Sequence, residues 1–147
     1  MAVAEEVVEA CRATNDRPRR LRMSWTKSDA KAFEDHVERV LKRKYPKATW
    51  NLEAQSPIMS KGTKIKVDFR LTNRKKGTVT LVDAKSGTIT IGDLRQLEDY
   101  KRASKVSEAT IYTAAPLSKL SDSIKQRAKK SNIRIVYTRW ETPLTLI

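Results

Sequence analysis

Along this chain the apolar positions change period several times, and each change marks an element. Phe33, Val37, Val40, Leu41 and Tyr45 recur at the spacing of one helix face, behind the capping residues Ser28-Asp29 and ahead of the breaker Pro46. Thr49–Gln55 reads as a first strand and Pro57–Gly62 as a loop. Over Lys64–Thr72, Ile65, Val67, Phe69 and Leu71 alternate with polar residues, so that face is expected to pack against helices. Asn73-Arg74-Lys75-Lys76-Gly77 is turn-like. The following strand, Thr78–Lys85, contains Val79-Thr80-Leu81-Val82, apolar on both faces as a central strand tends to be. Gly87 and Gly92 bracket a polar link into a helix over Asp93–Ser104, which carries Leu94, Leu97 and Tyr100. Ala109–Ala115 is β-branched and aromatic enough to be a strand. Ser118 or Ser121 starts a third helix with Leu120, Ile124 and Ala128 on one face, Asn132 closes it, and Ile133–Trp140 forms a last strand.

The order α-β-β-β-α-β-α-β predicts an α/β (mixed α+β) fold. Its centre is a mixed sheet of four to five strands, an antiparallel meander followed by β-α-β crossovers, with helices on both faces. Residues 1–24 stand apart as a short acidic amphipathic stretch and a basic arm, Arg17-Pro18-Arg19-Arg20-Leu21-Arg22; residues 25–147 make one domain.

The hairpin carries the candidate chemistry. If Arg74–Gly77 form a four-residue loop, Asn73 pairs with Thr78, and counting outward sets Asp68 opposite Asp83. Like charges across a ladder are destabilising and call for a compensating cation. Lys85 lies two residues beyond Asp83, on the same face. Two carboxylates and an ammonium on one sheet face suit a divalent cation, and Asp68 and Asp83 are hard oxygen ligands of the kind Mg²⁺ or Mn²⁺ takes. That chemistry points to phosphodiester hydrolysis. A one-residue slip in register would put the two aspartates on opposite faces.

Charge agrees with an anionic substrate. Lys and Arg number 31 against 17 Asp and Glu, a net charge of +14, which draws polyanions by long-range attraction and counterion release. Strand alternation puts Lys64 and Lys66 on the face of Asp68, and Lys66 and Arg70 are expected nearest substrate. Other clusters, among them Lys42-Arg43-Lys44, Lys101-Arg102 and Lys125–Lys130, are mostly solvated. No apolar run approaches the roughly 18 residues of a membrane span. The first ten residues lack the basic start of a secretory signal. The single cysteine, Cys11, excludes an internal disulfide and a cysteine zinc site, so a reducing cytoplasm is expected, that of a target cell if the chain is a delivered toxin. His36, the only histidine, flanks the apolar stripe of the first helix and reads as structural. Trp25, Trp50 and Trp140 read as packing residues more than as base-stacking platforms.

Asp68, then Asp83-Ala84-Lys85 on the next strand, with an acid-bearing helix upstream and a crossover helix downstream, resembles the PD-(D/E)xK nuclease superfamily of restriction-endonuclease-like fold. The resemblance covers Asp29 to Trp140, with Val67 where proline is common and Asp83 where glutamate is frequent. It implies a Mg²⁺- or Mn²⁺-dependent nuclease in which Asp68, Asp83 and the Ala84 carbonyl hold the metal and Lys85 orients the attacking water. An acid on the first helix joins them: Glu34, with Glu38 one turn on as competitor and Glu53 on the first strand as a weaker option. Gln96 and Tyr100, four apart on one face of the next helix, resemble a Gln-x-x-x-Tyr motif that supports the lysine or the substrate. The expected substrate is DNA ahead of RNA. A resolvase, repair or restriction-like endonuclease would act as a homodimer cutting two strands. A toxin domain cutting DNA or tRNA and held by an immunity protein is the alternative, and a non-catalytic nucleic-acid-binding module on the same fold is the third reading.

Overall fold

The computed structural model describes residues 27–140; the acidic stretch, the basic arm, Cys11 and Trp25 lie outside them. The elements run α1 (Lys27–Lys44), β1 (Trp50–Ser60), β2 (Thr63–Asn73), β3 (Val79–Lys85), α2 (Ile91–Ser104), β4 (Glu108–Thr113), a 3-10 turn (Leu117–Lys119), α3 (Asp122–Lys130) and β5 (Ile133–Tyr137). The five strands form one sheet in sequence order, antiparallel from β1 to β3 and parallel from β3 to β5. This is the expected mixed α/β architecture with its meander and crossovers.

The two crossovers step the same way along the sheet, so right-handed connections put α2 and α3 on one face. There Leu94, Leu97, Ile124 and Ala128 pack with Leu81, Ala109, Ile111 and Ile133. On the other face Phe33, Val37 and Leu41 of α1 cover Phe69, Leu71, Val82 and Tyr112. Trp50 packs edge-on against Tyr45 with centroids 4.9 Å apart, and Trp140 lies against Phe33 at 5.1 Å, so both serve packing. His36 Nε2 lies 3.1 Å from Thr138 Oγ1, and burial holds its pKa below the usual value, as a structural histidine requires. Among the described residues no helix is long and apolar enough to cross a membrane.

Local chemistry explains the boundaries. The Asn73 carboxamide accepts the Lys75 and Lys76 N–H groups at 3.0 and 2.9 Å, and Gly77, at φ +74°, closes the loop where a side chain would strain. Asn73 N–H donates to the Thr78 carbonyl at 2.8 Å, which fixes the pairing expected from the sequence. Thr90 caps α2, its hydroxyl taking the Asp93 N–H while the Asp93 carboxylate takes the Thr90 N–H at 2.8 Å. The helix therefore starts at Ile91, ahead of Gly92, and not at Asp93. Ser121 rather than Ser118 caps α3.

One stretch differs more. Pro57–Gly62 is not a loop: β1 continues to Ser60, and Lys61-Gly62, both at positive φ, make a two-residue turn back into β2. Proline survives there because β1 is the edge strand, where no neighbour needs its N–H on the outer side. The single apolar face expected of β2 also divides. Phe69 and Leu71 belong to the α1 core, while Val67 and Ile65 belong to the core under α2. The change falls at Asp68 and at the residue facing it on β1, Gln55, whose φ is +53°. The far half of the hairpin thus folds over towards α2, and the site opens at the bend.

Candidate active site

Asp68 sits where the β2–β3 ladder ends. The pairs run from Thr72–Val79 to Phe69–Val82, and the same count puts Asp68 opposite Asp83. One residue further on β3, Ala84 donates its N–H to Asp68 Oδ2 at 2.8 Å. A side-chain carboxylate has taken a backbone rung. β3 meanwhile stays paired with β4 through Lys85–Thr113, so one wall of the opening is firm sheet.

The opening is a cleft of about 300 Å³, lined by Lys66, Asp68, Asp83, Ala84, Lys85, Asp93, Gln96, Tyr100 and Ile111. Asp68, Asp83 and Lys85 share it, with Lys66 at its exposed rim. From α2, Gln96 and Tyr100 face it together, one turn apart. Burial, then the Asp83 and Asp68 charges, push the Tyr100 hydroxyl pKa up, which puts it in the field of both aspartates.

Glu34 reaches the same charge cluster from α1. Its pKa is pushed up to about 7, first by burial and then by the Asp68 charge and a hydrogen bond to Asp68. Asp68 rises to about 6 through burial and the Asp83 charge, against the opposing pull of the Ala84 N–H. Asp83 rises to about 6 through burial, partly offset by hydrogen bonds from Asp68. Three neighbouring carboxyl groups whose pKa values all stand raised share protons near neutrality and titrate as a set. Glu38, the competing acid, pairs instead with Lys42 at 3.2 Å, and Glu53 accepts the Ser56 hydroxyl at 3.1 Å.

Lys85 is half-exposed, and its Nζ lies 3.7 Å from Asp93 Oδ1. Asp93 thus joins the lysine of the cleft to the cap of α2. Gln55 acts in a similar way on the other side: its Nε2 donates to Glu34 Oε2 across the bend in β1. Neither residue stands out in the sequence as a site residue. Asp93 has a readable signal in the Thr90-x-x-Asp93 capping box; Gln55 has none, because its role follows from a positive φ. Arg70 is not brought to the cleft. It lines a separate hollow with Lys76 and Lys105, further down the sheet.

Among the described residues no three His, Cys, Asp or Glu side chains are already gathered as a chelating group. Mg²⁺ asks for less, keeping several waters and taking one or two carboxylates together with substrate oxygens. Asp68 and Asp83 supply hard oxygen, and three mutually repelling carboxyls carry the charge a divalent cation neutralises. The donor set therefore fits Mg²⁺ or Mn²⁺ at Asp68 and Asp83, with Glu34 beside them.

The chain matches no family model and no curated protein. Its fold is similar to that of a solved protein of unknown function, AF1548, with a TM-score of 0.53 and 13% identity over 71% of this chain and 55% of that one. The structure of Pyrococcus furiosus SfsA in complex with Ca²⁺ gives a TM-score of 0.45 and 16% identity over 73% of this chain and 54% of that one, too slight a likeness to bear on function. The chain spans about half the length of both proteins. The first likeness supports the fold and says nothing of the chemistry.

Proposed function

We propose that this chain is a metal-dependent nuclease of the PD-(D/E)xK type, hydrolysing phosphodiester bonds in DNA. The observation that carries the reading is the meeting of Asp68, Asp83 and Lys85 in one cleft, with Glu34 brought against Asp68 from another element. A buried acid cluster costs stability, and a cleft is where such a cost serves chemistry. The net charge of +14 supplies the attraction for a polyanionic substrate.

Hydrolysis joins a water oxygen to phosphorus, breaks one P–O ester bond, and moves a proton from the water to solvent while the leaving oxygen gains one. A divalent cation bound here would act as a Lewis acid on the phosphate and lower the pKa of nearby water. Asp68, held by the Ala84 N–H, and Asp83 on the firm strand fix the position of that charge; the Ala84 carbonyl is the proposed third oxygen. Both carboxyls would give up their shared protons to a bound cation. Glu34, steadied by Gln55, would accept a hydrogen bond from a water beside Asp68. Lys85 places an ammonium beside the phosphoryl oxygens as charge builds on them. Lys66 at the rim, with Gln96 and Tyr100 opposite, would hold the flanking phosphates. A homodimer would let two such clefts cut both strands.

The test is incubation of the pure protein with plasmid, branched DNA and total RNA, each with Mg²⁺ or with EDTA. Mg²⁺-dependent cleavage of DNA is the expected result. Salt-sensitive binding without cleavage of any substrate would make the chain a binding module instead. Preferential cleavage of tRNA, with growth arrest on expression, would move it to the toxin class.

A further inference from the structure

Arg70, expected at the cleft, instead helps line a hollow of about 590 Å³ at the opposite end of β2 and β3. It is joined there by Lys76 of the hairpin loop and Lys105, the residue that closes α2 in a left-handed conformation at φ +57°. These cations come from three separate elements, and among the described residues none of them is in an ion pair. Most cations of the described residues are likewise outside ion pairs, Lys31, Lys42, Lys85, Arg102 and Arg127 being paired, so what distinguishes these three is that they converge on one hollow.

Two groups in the hollow oppose an anion, the Glu108 carboxylate and the carbonyl end of α2. A helix end carries about half a negative charge, so three cations against these leave roughly +1.5. The balance favours an anion. Ser104 forms part of the wall, and its Oγ is a buried hydroxyl without a hydrogen-bond partner among the described residues. Buried hydroxyls are normally satisfied, so an unpartnered one is unusual in this wall. Trp50 adds an apolar side to the same hollow.

We propose that this hollow is a second phosphate site, which holds the backbone of duplex DNA away from the cleft; this rests on the nuclease reading for what the DNA is held for, though not for the binding itself. Val79 lines the hollow and Asp83 the cleft, four residues apart on one strand, so the two sites lie about 13 Å apart along β3. Over that length one strand of a duplex presents about four phosphates. The hollow would set the direction in which the duplex leaves the cleft.

The test is binding of a fluorescein-labelled 16-base-pair DNA duplex in EDTA, over a series of salt concentrations, with folding of each variant checked by circular dichroism. Removing three phosphate contacts in R70Q/K76Q/K105Q should weaken binding about tenfold or more at 0.1 M salt and flatten the log K against log salt slope by about 2 to 3. The charge-matched variant K125Q/K129Q/K130Q, altered on α3, should lose less than half of that slope. Should half-buried Arg70 prove necessary for folding, K76Q/K105Q should still flatten the slope by about 1 to 2. An unchanged slope in the hollow variants, or equal losses in the α3 variant, would overturn the proposal. Cleavage plays no part in this readout, so a protein that binds as described and cuts nothing would retain the hollow and refute only the nuclease reading.

Discussion

Asp68 Oδ2 accepts the backbone N–H of Ala84 at 2.8 Å, in the position where a strand rung would otherwise continue. The bond ties an acidic side chain of one strand to the backbone next to the acid of the other. It keeps Asp68 close to Asp83 in spite of their repulsion, and the repulsion has measurable consequences.

The first is a stability that falls as pH rises in the absence of divalent cations. The folded-state pKa values of Asp68, Asp83 and Glu34 stand at about 6, 6 and 7, above their unfolded values near 4. The folded state therefore binds more protons between these limits, so the stability these groups give is complete below about pH 4 and is lost as pH climbs through 6 to 7. Thermal melts in EDTA should show a lower Tm at pH 8 than at pH 5, a flatter profile in Asp83→Asn, and recovery at pH 8 on adding millimolar Mg²⁺ or Mn²⁺. Glu98, held at about 2 mainly by its hydrogen bond from Arg127, acts in the opposite sense only below about pH 4.5. His36, held below its usual value by burial, opposes the trend within the window, so the carboxyl contribution is read from the difference between the wild-type and Asp83→Asn profiles. A Tm that does not change across the range would contradict the electrostatic account.

Glu34 and Glu38 separate by mutation. Glu34 faces Asp68 and holds Gln55, while Glu38 pairs with Lys42. Glu34→Gln should lower the cleavage rate by about 10- to 100-fold, the usual cost of disturbing the shell around a metal. Glu38→Gln should leave it within about twofold, since an exposed i,i+4 pair contributes only tenths of a kcal/mol. Initial rates at saturating Mg²⁺ distinguish them, and the reverse ranking would mean the wrong acid has been assigned.

Gly77 protects the hairpin register. At φ +74° an alanine has room, with nothing within 4 Å of its Cβ, but not a comfortable backbone. Gly77→Ala should cost about 1 kcal/mol, read as a drop of a few degrees in Tm. An unchanged Tm would show that the loop does not need that conformation.

How far the sequence discloses this site depends on which interactions are local. The pairing of Asn73 with Thr78 was legible because an asparagine, a basic loop and a glycine fix a four-residue connection between two periodic segments, and Asp68 and Asp83 then follow by counting. The extension of β1 through Pro57 was not, because proline disfavours a strand except at an edge, and edge position is a property of the finished sheet. Arg70 was expected beside Asp68 by strand alternation, which assumes a straight strand; the bend at Gln55 and Asp68 sends the near and far halves of β2 to different cores. The choice of Glu34 over Glu38 depends on the crossing of α1 over the sheet. That crossing is fixed by packing of Phe33, Val37 and Leu41, whose spacing gives the helix face and not its angle.

Glu98 and Arg127 clamp α2 to α3 through two hydrogen bonds at 2.8 and 3.0 Å, and Ser131 donates to the same carboxylate. Paired forks of this kind exceed ordinary surface ion pairs, so a double-mutant cycle with Glu98→Ala and Arg127→Ala should give a coupling of about 1 kcal/mol. Denaturant titration measures it, and a coupling near zero would reduce the clamp to a surface contact. Because α2 also carries Gln96 and Tyr100, the Glu98→Ala variant tests how firmly that wall of the cleft is held.

The central claim is that Asp68, Asp83 and Lys85 form one hydrolytic site, and the most direct measurement is plasmid cleavage by the wild-type protein beside Asp83→Asn and Lys85→Ala. In Mg²⁺ the wild type should nick or linearise DNA and in EDTA it should not. Each variant should lose about 100-fold or more of the rate while binding DNA with the same salt dependence. Undiminished cleavage in either variant, or none by the wild type in Mg²⁺ or Mn²⁺, would contradict the account.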